Sequence, residues 1–371
     1  MMFGDAYKSR KVLITGHTGF KGSWLSIWLR ELGADVVGYS LEAPSQPNNF
    51  SASALASRMT HIRGDILDTD RLKAVFAKHR PEIVFHLAAQ AIVRESYANP
   101  SETFHVNVAG TVNLLERVRL DPRVKAVVCV TSDKCYEPRE SIEGYREIDP
   151  MGGKDPYSAS KGCAELVFSS YLSSFFGRDR SGKESIGAVS VRGGNAIGGG
   201  DWGKDRLVPD CVRELDAGRS IGIRNPMASR PWQHILDLLS GYLWIGSLIR
   251  QFPGPYSGSW NFGPTEDGVL TVRDVVERLI KSWGSGSWTD LSNPHEPHEA
   301  PHLKLCVDKA RNRLGWRSVL SADEAIAMTA RWYQRYYRSR DRQGMYGACV
   351  EQIQTYAKKA QQCGLSWTKK S

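Results

Sequence analysis

The stretch Lys11-Val-Leu-Ile-Thr-Gly-His-Thr-Gly-Phe-Lys-Gly22 decides the fold of this 371-residue chain. Its first five residues have the apolar and β-branched composition of a buried strand. Glycines then stand at positions 16, 19 and 22, directly before a helical pattern that runs from Ser23 to Leu32. A glycine turn of this spacing lets the backbone and the N–H groups of a helix start approach a pyrophosphate closely. The stretch therefore predicts the first strand, turn and helix of a dinucleotide-binding fold.

Short apolar runs alternate with helical patterns as far as about residue 195. Predicted strands cover 11–15, 35–40, 61–66, 82–89, 125–131 and 187–194, and predicted helices cover 23–32, 68–79, 100–119 and 156–176. Apolar strands separated by helices are typical of a parallel sheet that is covered on both faces. We therefore predict an α/β fold with a doubly wound parallel sheet of the Rossmann type.

The regular pattern breaks up after Gly198, where glycine, proline and tryptophan become frequent. Loops are expected over 257–267 and 292–301. Since no proline- or serine-rich linker separates the two parts, the boundary is soft. We expect residues 1–195 to form the dinucleotide-binding domain and residues 196–371 to form mainly a smaller C-terminal substrate lobe, interwoven with it.

Composition narrows the class of protein. Hydrophobic residues make up 41% and charged residues 24%, enough to build a core. The net charge of +9 is scattered without basic runs, which favours a phosphate-bearing small molecule over a nucleic acid. The seven cysteines form no Cys-x-x-Cys pair, which fits a reducing compartment and gives no metal pattern. With no signal peptide and no apolar stretch of ~18 residues, we expect a cytoplasmic protein without a nucleic-acid, membrane or metal partner.

The residues expected to hold the dinucleotide lie in the glycine turn and at the ends of the next strands. Ser40 ends the second strand, where an Asp or Glu usually binds the adenosine ribose, and no Arg stands there for a 2′-phosphate, so NAD is favoured over NADP. Small residues end the fourth strand, where a nucleotide passes close to the backbone. The predicted cofactor-binding residues are Gly16, His17, Thr18, Gly19, Phe20, Lys21, Gly22, Ser40, Asp65, Ile66, Leu87, Ala88, Ala89, Tyr157 and Lys161.

Tyr157 and Lys161 stand four residues apart, on one face of a predicted helix. A phenol has a pKa near 10 and is a poor base at neutral pH. A nearby ammonium group and a nicotinamide cation would favour the phenolate. We therefore expect this pair to remove a hydroxyl proton while hydride leaves the same carbon.

Taken together, these motifs resemble the extended short-chain dehydrogenase/reductase family, and within it the nucleotide-sugar 4,6-dehydratases. The resemblance covers nearly the whole chain and rests on the glycine triad, Thr131-Ser-Asp-Lys-Cys-Tyr136 and Tyr157-x-x-x-Lys161. It implies NAD as cofactor, oxidation of a sugar at carbon 4, loss of water across carbons 5 and 6, and hydride return to carbon 6. Gly16–Leu25 and Thr131–Lys134 resemble the branch that acts on CDP-glucose, which is therefore the expected substrate.

The resemblance also implies roles for three consecutive residues. Ser132 would bond the sugar hydroxyl beside Tyr157, and Asp133 would be the general acid. Lys134 departs from the family, because most relatives carry Glu there as the carbon 5 base. Two roles stay open: a neutral Lys134 removes the carbon 5 proton, or a charged Lys134 stabilises the enolate while another group removes it.

On the substrate side, the resemblance places Asn195 and Arg230 at the sugar diphosphate, which guanidinium groups bind well. Arg206 and Arg224 are either further ligands or solvated surface residues. His298, Glu299 and His302 lack the ligand pattern of a metal site and are expected to be loop or surface residues. The predicted substrate-binding residues are Gln90, Ser132, Asn195, Arg206, Arg224 and Arg230.

Two alternatives accompany this interpretation. A nucleotide-sugar 4-epimerase or reductase of the same family needs Tyr157 and Lys161 but not Asp133 and Lys134. A non-catalytic NAD sensor or nucleic-acid binder usually loses the Tyr or the Lys, and this chain keeps both. The resemblance further implies a homo-oligomer, a dimer or tetramer, with helices 100–119 and 156–176 either at the contact or simply covering the sheet.

Overall fold

A computed structural model of the protein describes residues 2–139, 144–176, 186–264, 268–292, 304–339 and 344–369. Its strands are β1 (Lys11–Thr15), β2 (Asp35–Ser40), β3 (Thr60–Arg63), β4 (Ile83–His86), β5 (Ala126–Val130), β6 (Gly187–Gly193), β7 (Asn195–Ile197), β8 (Ile221–Ile223), β9 (Ser229–His234), β10 (Gly258–Phe262), β11 (Val269–Thr271) and β12 (Trp288–Asp290). Its α-helices are α1 (Phe20–Glu31), α2 (Asn49–Ala52), α3 (Thr69–His79), α4 (Val93–Ala98), α5 (Pro100–Phe104), α6 (Gly110–Leu120), α7 (Pro156–Phe175), α8 (Leu207–Asp216), α9 (Ile235–Gln251), α10 (Pro253–Tyr256), α11 (Val272–Trp283), α12 (Asp308–Leu314), α13 (Ala322–Arg338) and α14 (Met345–Gln362).

Seven strands form one parallel sheet in the order β10-β6-β5-β4-β1-β2-β3. The strand order reverses at β1, which pairs with β2 on one side and with β4 on the other. Ligands of open α/β sheets bind at the carboxyl ends of the strands beside such a reversal. The predicted doubly wound parallel sheet is therefore confirmed, and the glycine turn after β1 lies at its switch point.

Helices cover both faces of this sheet, because successive strand residues point to opposite sides. Val12 and Ile14 of β1 belong to the larger core, which α1 and α9 cover. Leu13, between them, belongs to the second core, which α3, α6 and α7 cover. This alternation explains why each central strand is apolar throughout, which is the pattern that predicted the fold.

The C-terminal half completes the same sheet. The sequence pattern predicts a loop over 257–267, and this prediction is wrong for residues 258–262, which form β10. Trp260 and Phe262 are fully buried, and Trp260 pairs with Val191 of β6. The sequence pattern does not indicate this strand because it is short and is flanked by glycine, proline and serine, which are typical of turns.

The rest of the C-terminal half forms a smaller lobe. A three-stranded sheet in the order β11-β9-β7 and the pair β12-β8 lie there with α8, α11 and α13. Helix α14 returns to the N-terminal half of the chain and packs on α1. Just beyond it, Trp367 stacks on Phe3, with ring centroids 4.8 Å apart. The two halves are thus interwoven at several places.

The long helix predicted over 100–119 is not uniform. Helix α5 passes into one π-helical segment, His105–Ala109, before α6 begins. Such segments occur mostly as single turns inside α-helices and often lie at functional sites. Here the segment carries the buried Asn107, whose contacts are described below.

Candidate active site

The glycine turn leaves room for backbone only. Gly16 has φ +78°, and a Cβ on it would lie 2.7 Å from the Ala88 nitrogen. A Cβ on Gly22 would lie 2.1 Å from the Gly16 carbonyl oxygen. Gly19 is the N-cap of α1 and offers no side chain to its N–H groups. A helix start without a side-chain cap, in a turn too tight for side chains, fits the pyrophosphate of NAD.

The side chains of the turn point in different directions. The His17 ring lies against Gly38 of β2, and its Nε2 is 2.7 Å from Nδ1 of His61. Burial, and to a smaller extent the neighbouring His61, lowers the pKa of His17 to about 3. His17 thus braces the turn against the sheet. Thr18 Oγ1 lies 2.9 Å from Ser40 Oγ, which brings a predicted cofactor-binding residue of the turn next to the one predicted for the adenosine ribose.

The third strand ends at Arg63, so Asp65 and Ile66 lie in the turn that follows it rather than in the strand. The Asp65 carboxylate accepts a hydrogen bond from the Leu67 N–H (2.9 Å). Ile66 is buried against Gly110, whose Cβ would lie 2.7 Å from it. Both residues therefore shape this edge of the predicted adenine site.

Helix α7 positions the predicted catalytic pair. The Asp155 carboxylate accepts a hydrogen bond from the Ser158 N–H (2.9 Å), and Pro156 occupies the first helical position, as the sequence suggests. Tyr157 and Lys161 are 8% and 5% exposed. The Lys161 Nζ lies 6.0 Å from the centroid of the Tyr157 ring. The structure therefore brings the two groups together in a nearly buried site.

Burial is the largest cause of the shifted pKa values of Tyr157 and Lys161. It raises the pKa of Tyr157 to about 12, and a hydrogen bond with Ser132 only partly offsets it. Burial and the charge of Lys21 lower the pKa of Lys161 to about 8. In the protein without NAD, burial outweighs the charge of Arg206, which lowers the pKa of Tyr157. The expectation that the Lys161 ammonium and a nicotinamide cation together favour the phenolate stays a prediction.

Lys21 enters the same space from the glycine turn. Burial, together with the charge of Arg206, lowers the pKa of Lys21 to about 8, while Asp133 and Asp201 favour its charged form. Two lysines from different elements thus lie close enough for the charge of Lys21 to lower the pKa of Lys161.

A 3₁₀ turn, Asp133–Cys135, follows β5. Ser132 is its N-cap: Ser132 Oγ accepts a hydrogen bond from the Lys134 N–H (3.2 Å) and donates one to Asp133 Oδ1 (3.0 Å). Asp133 is 5% exposed, and its Oδ2 is 3.0 Å from the position of a Cβ on Gly194. The side chain of Lys134 is half-buried. The turn therefore holds a buried carboxylate directly beside the hydroxyl that bonds Tyr157.

Behind this turn lies a buried ion pair that the sequence did not single out. Arg192 Nη2 is 2.6 Å from Glu165 Oε2, and the two side chains are 3% and 2% exposed. Thr131, immediately before Ser132, donates a hydrogen bond to the same carboxylate. Burial raises the pKa of Glu165, but the charge of Arg192 and these hydrogen bonds outweigh it and hold the pKa below its usual value. The pair fixes β6 to α7, one turn beyond Lys161, and Thr131 attaches the end of β5 to the same carboxylate.

Asn107 is the second residue that the sequence did not identify. Its amide donates hydrogen bonds to the Gln90 carbonyl (3.0 Å) and to Ser160 Oγ (2.8 Å), and its Oδ1 accepts one from the Gln90 N–H (2.9 Å). Gln90, predicted to bind substrate, uses its own carboxamide within the loop, donating to Thr103 Oγ1 (2.9 Å). Asn107 thus joins the loop after β4 to α7, and the polar atoms of Gln90 already have partners.

The remaining predicted substrate ligands are spread over the C-terminal lobe. Arg206 pairs with Asp201 (2.7 Å) and lies near enough to Tyr157 and Lys21 to affect them electrostatically. Asn195 opens β7, and the half-buried Arg230 belongs to β9, whereas Arg224 is exposed. The structure therefore shows the charge of Arg206 acting on two residues of the predicted active site, Tyr157 and Lys21. His298, Glu299 and His302 lie outside the described residues.

The chain resembles known proteins along most of its length. The sequence pattern of the NAD dependent epimerase/dehydratase family matches residues 12–256. A curated CDP-glucose 4,6-dehydratase from Salmonella typhimurium (strain LT2) is 47% identical over 341 residues, 92% of this chain and 95% of that protein.

Solved structures of nucleotide-sugar dehydratases and epimerases are also similar to this chain. A dTDP-glucose 4,6-dehydratase from Streptomyces venezuelae with NAD bound has a TM-score of 0.72 and 26% identity, covering 88% of this chain and 97% of its own. A Thermus thermophilus UDP-glucose 4-epimerase in complex with NAD also has a TM-score of 0.72, at 25% identity, covering 87% and 99%. The resemblance inferred from the motifs is confirmed: the chain belongs to the NAD dependent epimerase/dehydratase family.

Proposed function

We propose that the protein is a CDP-glucose 4,6-dehydratase, a hydro-lyase that converts CDP-glucose to CDP-4-keto-6-deoxyglucose. The observation that carries this is the buried carboxylate of Asp133, which accepts a hydrogen bond from the Ser132 hydroxyl and lies near enough to Tyr157 for its charge to raise the pKa of the phenol. Oxidation alone requires Tyr157 and Lys161, whereas loss of water also requires an acid. A relative 47% identical over nearly the whole chain bears the same activity in its name.

NAD, when bound, supplies the hydride acceptor for sugar carbon 4 and the hydride donor for carbon 6. The chain's own residues handle the protons. Tyr157 takes the proton of the carbon 4 hydroxyl, and Ser132 orients that hydroxyl. Lys161 contributes positive charge beside Tyr157, which favours the oxyanion during the transfer. Asp133 gives a proton to the carbon 6 hydroxyl as it leaves as water, and Lys134 either removes the carbon 5 proton or stabilises the enolate.

Binding of the sugar diphosphate is assigned to the smaller lobe. Arg206 is the first candidate, because it affects both Tyr157 and Lys21 electrostatically. Asn195 and Arg230 are proposed on the family resemblance, and the exposed Arg224 is either a further ligand or a solvated surface residue. The glycine turn and residues 1–195 would hold NAD, and residues 196–371 mainly the nucleotide sugar.

The test is turnover of the purified protein with NAD. We expect CDP-glucose, supplied with deuterium at carbon 4, to give a 4-keto product with deuterium in its new methyl group and no net NADH. An epimerised sugar with no keto product would reject dehydration in favour of a 4-epimerase. UDP-glucose and dTDP-glucose serve as parallel substrates, since the preference for cytosine rests on the relative alone. Asp133→Asn should stop the release of water, while Gly347→Ala, at an open position in α14, should not.

We also propose a homo-oligomer that pairs through α5, α6 and α7. Leu166 on α7 is 61% exposed and Phe104 on α5 is 37% exposed, although both are large and apolar. Burying them against a second copy removes apolar surface from water. Light scattering should give a dimer or tetramer, and Leu166→Lys should shift it towards monomer. Phe252→Lys, at an exposed residue after α9, is the control.

We also propose that the protein is located in the cytoplasm. All seven cysteines are free thiols, which supports a reducing, cytoplasmic setting. In the part of the chain that the structure describes, no helix is both long and apolar enough to span a bilayer.

A further inference from the structure

The proposed loss of water, on which this inference rests, requires Asp133 and Lys134 to be held in place beside the sugar. Both lie in the 3₁₀ turn after β5, which Ser132 and Tyr136 cap at its two ends. Residues 132–135 are called the catalytic turn below. A displacement of a reacting group by about 1 Å can slow a reaction by about 100-fold. The residues that hold the two ends of this turn therefore affect the reaction without touching the substrate.

Both ends of the catalytic turn are attached to the same buried ion pair. At the first end, the Thr131 hydroxyl donates a hydrogen bond to the Glu165 carboxylate. At the second end, the Tyr136 hydroxyl accepts a hydrogen bond from Arg192 Nη1 at 2.7 Å. Glu165 and Arg192 pair with each other at 2.6 Å. These four residues, here called the clamp, connect the two ends of the turn through side chains alone.

Strand β10 holds Tyr136 from a second side. The Tyr136 hydroxyl has one proton to donate, and it donates this proton to Asn261 Oδ1 at 2.7 Å. The amide of Asn261 donates to the carbonyl oxygens of Tyr145 (2.8 Å) and Cys306 (3.3 Å), so its oxygen has to face Tyr136. Tyr136 and Asn261 are 1% and 0% exposed. Since solvent does not reach these groups, water does not replace the hydrogen bonds between them.

The Tyr136 hydroxyl holds the turn more directly than it holds the oxidising pair. Asp133 is only three residues before Tyr136, in the same short turn. Tyr157 and Lys161 belong to α7, whose first turn is fixed by the Asp155 cap. Removal of the Tyr136 hydroxyl leaves the ion pair between α7 and β6 in place. Its loss should therefore release the end of the turn and leave α7 where it is.

We propose that Tyr136 is a positioning residue for the loss of water. Its hydroxyl, held by Arg192 and Asn261, fixes the end of the catalytic turn. Asp133 and Lys134 are thereby kept at carbons 6 and 5 of the sugar. Burial raises the pKa of Tyr136, so its hydroxyl stays protonated and exchanges no proton in the reaction. The step that depends on Tyr136 is elimination, not oxidation.

The test separates these two steps in a single turnover. Protein carrying NAD, in excess over CDP-glucose, is mixed with it by stopped flow, and NADH is followed by its absorbance. NADH forms during oxidation and disappears when the hydride returns to carbon 6 after water has left. In Tyr136→Phe we expect NADH to form within about twofold of the unaltered rate and to disappear about 10–100-fold more slowly. NADH should therefore accumulate in this variant.

Two further variants accompany it. Tyr7→Phe is the matched control, because Tyr7 is also 1% exposed and its hydroxyl donates to the Leu243 carbonyl (2.6 Å), outside the clamp. Both NADH rates should be unchanged in Tyr7→Phe. Thr131→Val removes the other hydroxyl of the clamp and keeps the size of the side chain, while the N–H of residue 131 stays bonded to the Val191 carbonyl (3.0 Å). Thr131→Val should also slow the disappearance of NADH more than its formation.

Two results with folded Tyr136→Phe would overturn the positioning role. Slowing of both phases by the same factor would mean that the hydroxyl only stabilises the fold, and two unchanged phases would mean that it does not position the turn. If circular dichroism shows that Tyr136→Phe does not fold, Thr131→Val decides by the same comparison. Failure of the proposed function is distinguishable, because it appears in the unaltered protein as a missing keto product.

Discussion

Loss of the charge on Glu165 should destabilise the protein strongly, because it leaves a buried guanidinium without a counterion. In Glu165→Gln the side chain keeps its size, and its amide oxygen can still accept hydrogen bonds. Arg192, 3% exposed, would lose the carboxylate 2.6 Å from its Nη2. The other described hydrogen bonds of this guanidinium run from Nη1 to the Tyr136 hydroxyl and to the Glu147 backbone carbonyl, and neither acceptor carries a negative charge.

The expected cost is about 3–5 kcal/mol, the range for removing one partner of a buried ion pair. A typical domain has a free energy of unfolding of about 5–15 kcal/mol, so this cost is a large fraction of it. The exposed pair of Arg335 and Glu351 provides the control, since its side chains are 53% and 71% exposed. Glu351→Gln should cost no more than about 1 kcal/mol.

Urea unfolding, followed by circular dichroism, measures both variants. Glu165→Gln should unfold at a clearly lower urea concentration than Glu351→Gln. The double variant Glu165→Gln/Arg192→Met removes both charges and should recover part of the loss, because no unpaired charge remains buried. A loss below about 1 kcal/mol for Glu165→Gln, or a double variant less stable than the single one, would refute the reasoning.

Three further outcomes follow from the structure. Burial raises the pKa of Asp237 to about 6. The folded protein therefore binds this proton more tightly than the unfolded chain does, and its free energy of unfolding falls by about 3 kcal/mol as the pH rises from about 4 through 6. Asp237→Asn should make the urea midpoint less dependent on pH over this range. Gly22→Ala should abolish NAD binding in a calorimetric titration, whereas Gly347→Ala, with open space around it, should bind normally. Asn107→Ala leaves the buried Ser160 hydroxyl and the Gln90 N–H without their partner. For each of these groups we expect the free energy of unfolding to fall by about 1–3 kcal/mol, measured by thermal melts.

The sequence predicted those parts of the fold and site that depend on neighbours along the chain. The glycine turn, the cap at Asp155 and the spacing of Tyr157 and Lys161 are all local patterns, and the structure has each of them. The predicted ends of strands and helices differ from the observed ends by a few residues. The third strand, for example, is predicted to reach residue 66 but ends at Arg63.

What the sequence did not predict depends on contacts between distant segments. Glu165 and Arg192 look like ordinary surface charges until α7 is placed against β6. Lys21 belongs to a glycine turn by sequence, but its charge acts on Lys161, 140 positions later, because both elements face one space. Asn107 stands in an apparently regular helix, and only the contact with the loop after β4 shows its role. Spacing rules cannot supply such neighbours.

The late arrival of β10 has a consequence for biosynthesis. Until residue 262 has left the ribosome, β6 borders the sheet with nothing paired along its outer side. Val189 and Val191, fully buried in the finished protein, belong to this border. Open apolar borders of sheets recruit other chains, so a fragment ending near residue 195 should aggregate rather than bind its nucleotide, and the nascent protein should depend on chaperones during that interval.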